Sequence, residues 1–186
     1  MILENYKGCL LAAHPQQPDS SLRKAVALII AHDKTGALGL QLNKKFDSDF
    51  TMLTVMENLG LYSDLDQPLY SGGPDATNRI HVVHSLDWST RSTIKVTNQL
   101  GVSNDISILA AISENEGPEY FRVIAGYTRW APKHLEGEMQ GTDPWSVTQT
   151  WSSVPADIEN VFSLDDIDQW YRTIDDAGRI QIASWF

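Results

Sequence analysis

Residues 25–44, AVALIIAHDKTGALGLQLNK, decide how the rest of the chain is read. The segment AVALIIAHD (25–33) is apolar almost without interruption, where a half-exposed strand would alternate. A strand of that kind has both of its faces covered. DKTG (33–36) has the turn residues of a hairpin, and GALGLQLNK (36–44) reads as the strand that returns from it. Upstream, GCLLAA (8–13) reads as a first buried strand, joined to the hairpin by the turn-rich connection PQQPDSSL (15–22).

Downstream the periodicity changes. Met52, Leu53, Val55, Met56 and Leu59 recur at helical spacing, with Gly60 placed to stop the helix. RIHVVHS (79–85) and STIKVTN (92–98) alternate as strands. Asn104-Asp105 can cap a helix over ISILAAISENE, which Gly117-Pro118 ends. YFRVIAGYTRW (120–130) is a strand, PKHLEGEMQ (132–140) a short helix with proline in its first turn, and WSVTQTW (145–151) another strand. ADIENVF and LDDIDQWYRTIDDAG form an acidic helical end. Strands and helices mix without a βαβ rhythm, so the expectation is an α+β fold in a single domain spanning 1–186.

The 186 residues suffice to bury a core, and 42% hydrophobic content with six tryptophans fits a globular chain. A single cysteine, Cys9, excludes an internal disulfide and fits a reducing compartment. The N-terminal apolar run is too short for a membrane span and no basic segment precedes it, so a cytoplasmic protein without a membrane anchor is expected. Net charge is −10, and it is unevenly spread: residues 1–50 hold six basic and five acidic side chains, residues 133–186 three and ten. The longest basic runs are the pairs Arg23-Lys24 and Lys44-Lys45. Affinity for DNA comes mostly from neutralised phosphates, so direct nucleic-acid binding is disfavoured, leaving room for a small basic patch on the N-terminal half.

The stretch LYSGGPDATNRIHVVHS (69–85) carries the densest chemistry. Gly72-Gly73-Pro74 can form an anion-binding nest or a tight turn; it lacks the lysine of a phosphate loop and the spacing of a dinucleotide fingerprint. On a strand His81 and His84 point to opposite faces and cannot share a metal. Ser71 sits outside any nucleophile motif. Cys9 reads as a buried, unreactive thiol. His134 and Glu138 share a helical face but supply two ligands at most. No metal site and no cofactor site is expected.

Three blocks in order resemble the AlgH/YqgE family of bacterial proteins. The first is Ala13, Pro15, Asp19, Arg23, His32, Gly36, Ala37, Gly39, Leu40 and Asn43. The second is the SGGP turn followed by a strand ending His84-Ser85. The third is Gly126, Tyr127, Trp130, Leu135, Glu136, Glu138 and Trp145. Departures are Ser20 for a proline, Leu22 near a family phenylalanine, Lys133-His134 for Gly-Gln, and the tail IQIASWF. The resemblance implies an α+β domain with a coiled, branching mixed β-sheet flanked by helices, and no known reaction. Family members are often labelled transcriptional regulators, yet no helix-turn-helix is visible here.

The matching polar residues fall at the ends of predicted elements, where pockets are built. The expectation is that Arg23, His32, Asn43, Ser71, Gly72, Gly73, His84 and Glu136 line a polar cleft. Its occupant would be a small anionic ligand or an unidentified protein partner. The chain then acts as a non-enzymatic binding or regulatory protein that affects transcription indirectly, if at all. The alternatives are a hydrolase-like enzyme using the cleft around the SGGP turn, and a direct DNA-binding regulator.

Overall fold

A computed structural model describes residues 5–46, 49–65, 67–142 and 148–184. Among them, strands β1 (Cys9–Ala13), β2 (Val26–Asp33) and β3 (Gly36–Gln41) precede helix α1 (Met52–Asn58). Then come β4 (Leu69–Ser71), β5 (Asp75–Ser85), β6 (Ile94–Lys95), β7 (Leu100–Ser103) and α2 (Ile106–Ser113). The chain closes with β8 (Phe121–Trp130), α3 (His134–Gln140), β9 (Trp151–Pro155), α4 (Ile158–Phe162) and α5 (Asp166–Ala183). The fold is mixed α+β.

The unbroken apolar run of β2 has the expected cause. Val26, Leu28 and Ile30 enter one core with Leu10, Leu40, Val83, Ile124 and Trp170. Ala25, Ala27 and Ile29 enter a second core with Leu11, Trp130, Leu135 and Trp151. Burying each Leu or Ile contributes about 1.5–3 kcal/mol, so β2 anchors both layers. The hairpin closes with Asp33 opposite Gly36, and the Asp33 carboxylate accepts the Thr35 amide at 2.7 Å.

The strands form one branched sheet in the order β6-β7-β5-β8-β3-β2-β1-β9, antiparallel throughout, with β4 added parallel to β8. The branch lies on β8. Its first half runs between β4 and β5, and its second half pairs with β3. Helix α5 lies over β1, β2 and β9, and the Trp170 indole donates to the Ala13 carbonyl at 2.7 Å. Helices α1 and α2 bury Met52, Met56, Ile108 and Ile112 in a third core with Val82 and Val123.

Four details differ from the sequence reading. STIKVTN contracts to the two-residue β6, whose side chains are exposed and which pairs only with β7. β4 and β7 are three and four residues long, too short to display a period. β3 ends at Gln41 rather than Lys44, because Asn43 turns in to cap the start of β2. The strand expected over 145–151 is found at Trp151–Pro155, residues 145–147 lying outside the described ones. β9 is an edge strand, where Pro155 is tolerated.

Candidate functional site

The SGGP turn carries the chain from β4 to β5, over the top of β8. A Cβ on Gly72 would stand 2.3 Å from the Gly126 carbonyl oxygen, and one on Gly73 2.3 Å from Thr128 Oγ1. Gly73 also adopts φ +145°, and Gly126 beneath it φ +77°. Only glycine lets the two backbones meet at this distance. The turn's groups are used internally: Gly72 N–H donates to Ala125 O, and Gly72 O accepts from Gln41 N and the Thr128 hydroxyl. The double glycine is what makes the sheet branch.

The two histidines of β5 lie on opposite sides. His81 packs edge-on against Tyr127 and His84 against Trp88. His84 Nδ1 is 2.8 Å from Ser85 O, which can only accept, so this nitrogen carries the proton. Nε2 therefore accepts from the Ser103 hydroxyl at 3.0 Å. Ser103 accepts in turn from the Thr93 hydroxyl at 2.9 Å, and Thr93 Oγ1 from the Thr90 amide at 2.9 Å. A serine donating to imidazole is half of a nucleophile–base couple. Here His84 is 0% and Ser103 1% exposed, and every hydrogen of the relay is already placed. Burial holds the His84 imidazole below its ordinary pKa, outweighing the Ser85 carbonyl and the nearby Asp87 and Asp105.

His32 lies beside Glu136 without a hydrogen bond between them, and His32 Nε2 and Glu136 Oε2 are both buried without a hydrogen-bond partner. His32 Nδ1 accepts the Tyr6 backbone N–H at 3.0 Å, which leaves the ring proton on Nε2, 3.3 Å from Glu136 Oε1. Helix α3 also places Glu138, whose Oε2 accepts the indole N–H groups of Trp130 at 3.1 Å and Trp151 at 2.6 Å. Glu138 thus serves two tryptophans rather than His134, which is exposed. No group of three metal-binding side chains occurs among the described residues. Cys9 is buried, and burial raises its thiol pKa.

Asn43 is 5% exposed and fully used. Its Oδ1 accepts Val26 N–H at 2.8 Å, and its Nδ2 donates to Lys24 O at 2.8 Å and Asp166 O at 2.9 Å. It locks the starts of β2 and α5 to the end of β3. Arg23 is exposed beside it, and Ser71 reaches this corner through its amide, which donates to Lys44 O at 2.7 Å. The eight residues expected to share a cleft therefore fall at separate places. Arg23, Asn43 and Ser71 gather around Lys44, His32 lies beside Glu136, and Gly72-Gly73 pack on β8. His84 joins Ser103, and neither histidine hydrogen-bonds Ser71.

Arg122, on β8, lies outside the residues expected from the sequence to form a site. Its Nη1 donates to Leu42 O and Gln169 Oε1, both at 2.9 Å. Its Nη2 donates to Leu164 O at 2.6 Å and pairs with Asp165 Oδ1 at 2.9 Å. The Tyr70 hydroxyl donates to the same Asp165 oxygen at 2.7 Å, and Lys45 reaches Asp165 and Asp166 at 3.1 Å each. Burial would raise the Asp165 pKa, but Tyr70, Arg122 and Lys45 outweigh it and hold the carboxyl below its usual range. An arginine in the apolar strand YFRVIAGYTRW was the available signal, since such a charge is buried only with partners.

A family profile described as AlgH-like matches residues 10–180. The chain belongs to the AlgH-like family. It is 33% identical over 175 residues to a UPF0301 protein of Sphingopyxis alaskensis, covering 93% of this chain and 89% of the relative. A UPF0301 protein of Methylococcus capsulatus is 31% identical, with 92% and 91% covered. The solution structure of AlgH from Pseudomonas aeruginosa superimposes with a TM-score of 0.73 at 27% identity, covering 97% of this chain and 92% of that one. A crystal structure from Corynebacterium diphtheriae, at 23% identity and TM-score 0.70, shares the fold; 91% of this chain and 86% of that one are covered. The AlgH-like blocks seen in the sequence lie on β1–β3, on the β4–β5 crossing, and on β8–α3; Trp145 lies outside the described residues. No helix of the described residues is long and apolar enough to cross a membrane.

Proposed function

We propose that this AlgH-like protein is a cytoplasmic binding or regulatory protein with no reaction of its own, acting through a protein partner or a small anionic ligand. The observation that carries this reading is the burial of its Ser103–His84 couple and the internal engagement of its buried arginine. The Ser103–His84 couple is sealed, His32 is tied to the Tyr6 backbone, and the Arg122 guanidinium donates to four internal oxygens. Catalysis needs such groups open to substrate with space for a reacting atom between them. Any influence on transcription is then indirect, since a chain of net charge −10 is repelled from DNA at long range. The test pairs affinity capture of the tagged full chain from native cytosol, beside a charge-matched control, with a screen of hydrolase substrates. The reading expects a saturable ligand or stoichiometric partner and no turnover.

A hydrolase is the second reading, favoured by one observation: Ser103 donates to a histidine whose other nitrogen is fixed by a carbonyl. Turnover of any substrate that Ser103→Ala and His84→Ala both abolish would establish it and remove the first.

A further inference from the structure

The two basic dipeptides of the sequence meet in space. Arg23-Lys24 ends the turn entering β2, and Lys44-Lys45 leaves β3. The Lys44 ammonium donates to the Arg23 carbonyl at 2.6 Å, and the Asn43 amide to the Lys24 carbonyl at 2.8 Å, so the pairs are stitched together rather than merely adjacent. Lys24 is held at φ +55°, a left-handed conformation that residues other than glycine adopt at a cost.

The nearby carboxylates are already engaged. Asp165 is shared by Lys45, Arg122 and Tyr70, and Asp166 is taken by Lys45. Among the described residues no ion pair within 4.0 Å involves Arg23, Lys24 or Lys44. Lys24 instead lies 5.8 Å over the Trp170 ring. Lys44 is half-buried, and burial first, then repulsion by Lys24, lowers its pKa. A chain with 24 acidic and 14 basic side chains thus leaves Lys24 and Lys44 close together without a carboxylate partner among the described residues, with the exposed Arg23 next to them in the chain.

We propose that Arg23, Lys24 and Lys44 form a binding site for a small phosphate-bearing anion, a phosphomonoester or a pyrophosphate. Two ammonium groups and a guanidinium fork match the charge and the several acceptor oxygens of such a group. The net charge of −10 selects for small size: a polyanion meets the whole negative surface, whereas a compact anion meets the local patch within a screening length of about 8–10 Å. The site rests on the binding-protein reading and names its ligand class.

The experiment is a titration of the full chain with sodium pyrophosphate at fixed ionic strength, followed by calorimetry and by lysine and arginine side-chain NMR. Saturable binding with Kd of about 1 mM or tighter is expected. Shifts should be confined to Arg23, Lys24 and Lys44, and the Lys44 titration should move upward in the complex. The Lys24 side chain makes no hydrogen bond among those described, so Lys24→Gln preserves the fold; it should weaken binding about tenfold. Lys24→Gln with Lys44→Gln should abolish binding, while Lys34→Gln, on the exposed hairpin turn, should leave it unchanged. No saturation by about 20 mM, undiminished affinity in the double variant, or tighter binding of a single-stranded oligonucleotide would overturn the site. A stoichiometric protein partner without pyrophosphate binding would sink this site alone. Hydrolysis of pyrophosphate dependent on Ser103 would sink the binding-protein reading with it.

Discussion

Two cationic regions flank the start of α5, and they are built in opposite ways. Around Arg122 the charge is 5% exposed and its guanidinium donates to four internal oxygens drawn from three parts of the chain. Around Lys24 and Lys44 no carboxylate partner is found among the described residues: Lys24 lies over the Trp170 ring, Lys44 donates to the Arg23 carbonyl, and the nearby carboxylates are held by Lys45 and Arg122. The first arrangement holds the C-terminal helices onto the sheet. The second supplies one ammonium-to-carbonyl hydrogen bond to the fold and keeps its charge without a carboxylate partner among the described residues. A charge whose partners are all internal reports on architecture; a charge left without them reports on the outside.

Removing Arg122 should have the largest effect on stability. Arg122→Ala leaves Gln169 Oε1 and the Leu42 and Leu164 carbonyls without their donor, while Asp165 keeps Tyr70 and Lys45, and should cost about 3–5 kcal/mol, read as a lowered urea midpoint. Asn43→Ala comes next, at about 2–4 kcal/mol, because it leaves the Val26 amide and two carbonyls without their donor or acceptor. If either substitution proved neutral, the internal network would not be what holds α5.

Much of this architecture is legible in the sequence, and the boundary of legibility has physical causes. β2 declares itself because both of its faces are buried, and the glycine-bounded turns declare themselves because no other residue fits. Gly72-Gly73 was legible as a turn but ambiguous in purpose, since a nest and a close backbone crossing need the same residue. The relay from Thr90 to His84 was not legible, because it joins β5 and β7 through a register that no local pattern sets. The meeting of Arg23-Lys24 with Lys44-Lys45 was invisible for the same reason: each pair is plain in the sequence, and only the β2–β3 pairing makes them one patch.

Acid sharpens the contrast at intermediate magnitude. His14, His81 and His84 all have lowered pKa values in the fold, burial being the first cause in each. The unfolded chain then binds protons that the folded chain refuses. Stability should be full above about pH 6.5 and should decline as pH falls from there toward the folded values. Asp165, also held below its ordinary value, adds a further loss only below about pH 4. Urea midpoints at pH 8, 5.5 and 3.5 check both steps; a flat profile from 8 to 5.5 would contradict the sealed histidines.

The smallest expected effect points the other way. Lys24→Gly relieves the left-handed strain and the repulsion on Lys44, and should stabilise the protein by about 0.5–1 kcal/mol while weakening pyrophosphate binding. Stability and binding would then move in opposite directions at one residue, as at a site kept for a ligand. Loss of stability would place Lys24 with Arg122 instead.

The most direct measurement of whether the Ser103–His84 couple is sealed from solvent is fluorophosphonate labelling of the native protein with adducts mapped by mass spectrometry. No adduct is expected at Ser103, because a hydroxyl 1% exposed and already donating to His84 has no path to the reagent. An adduct on Ser103 that His84→Ala abolishes would contradict that expectation and make this chain an enzyme.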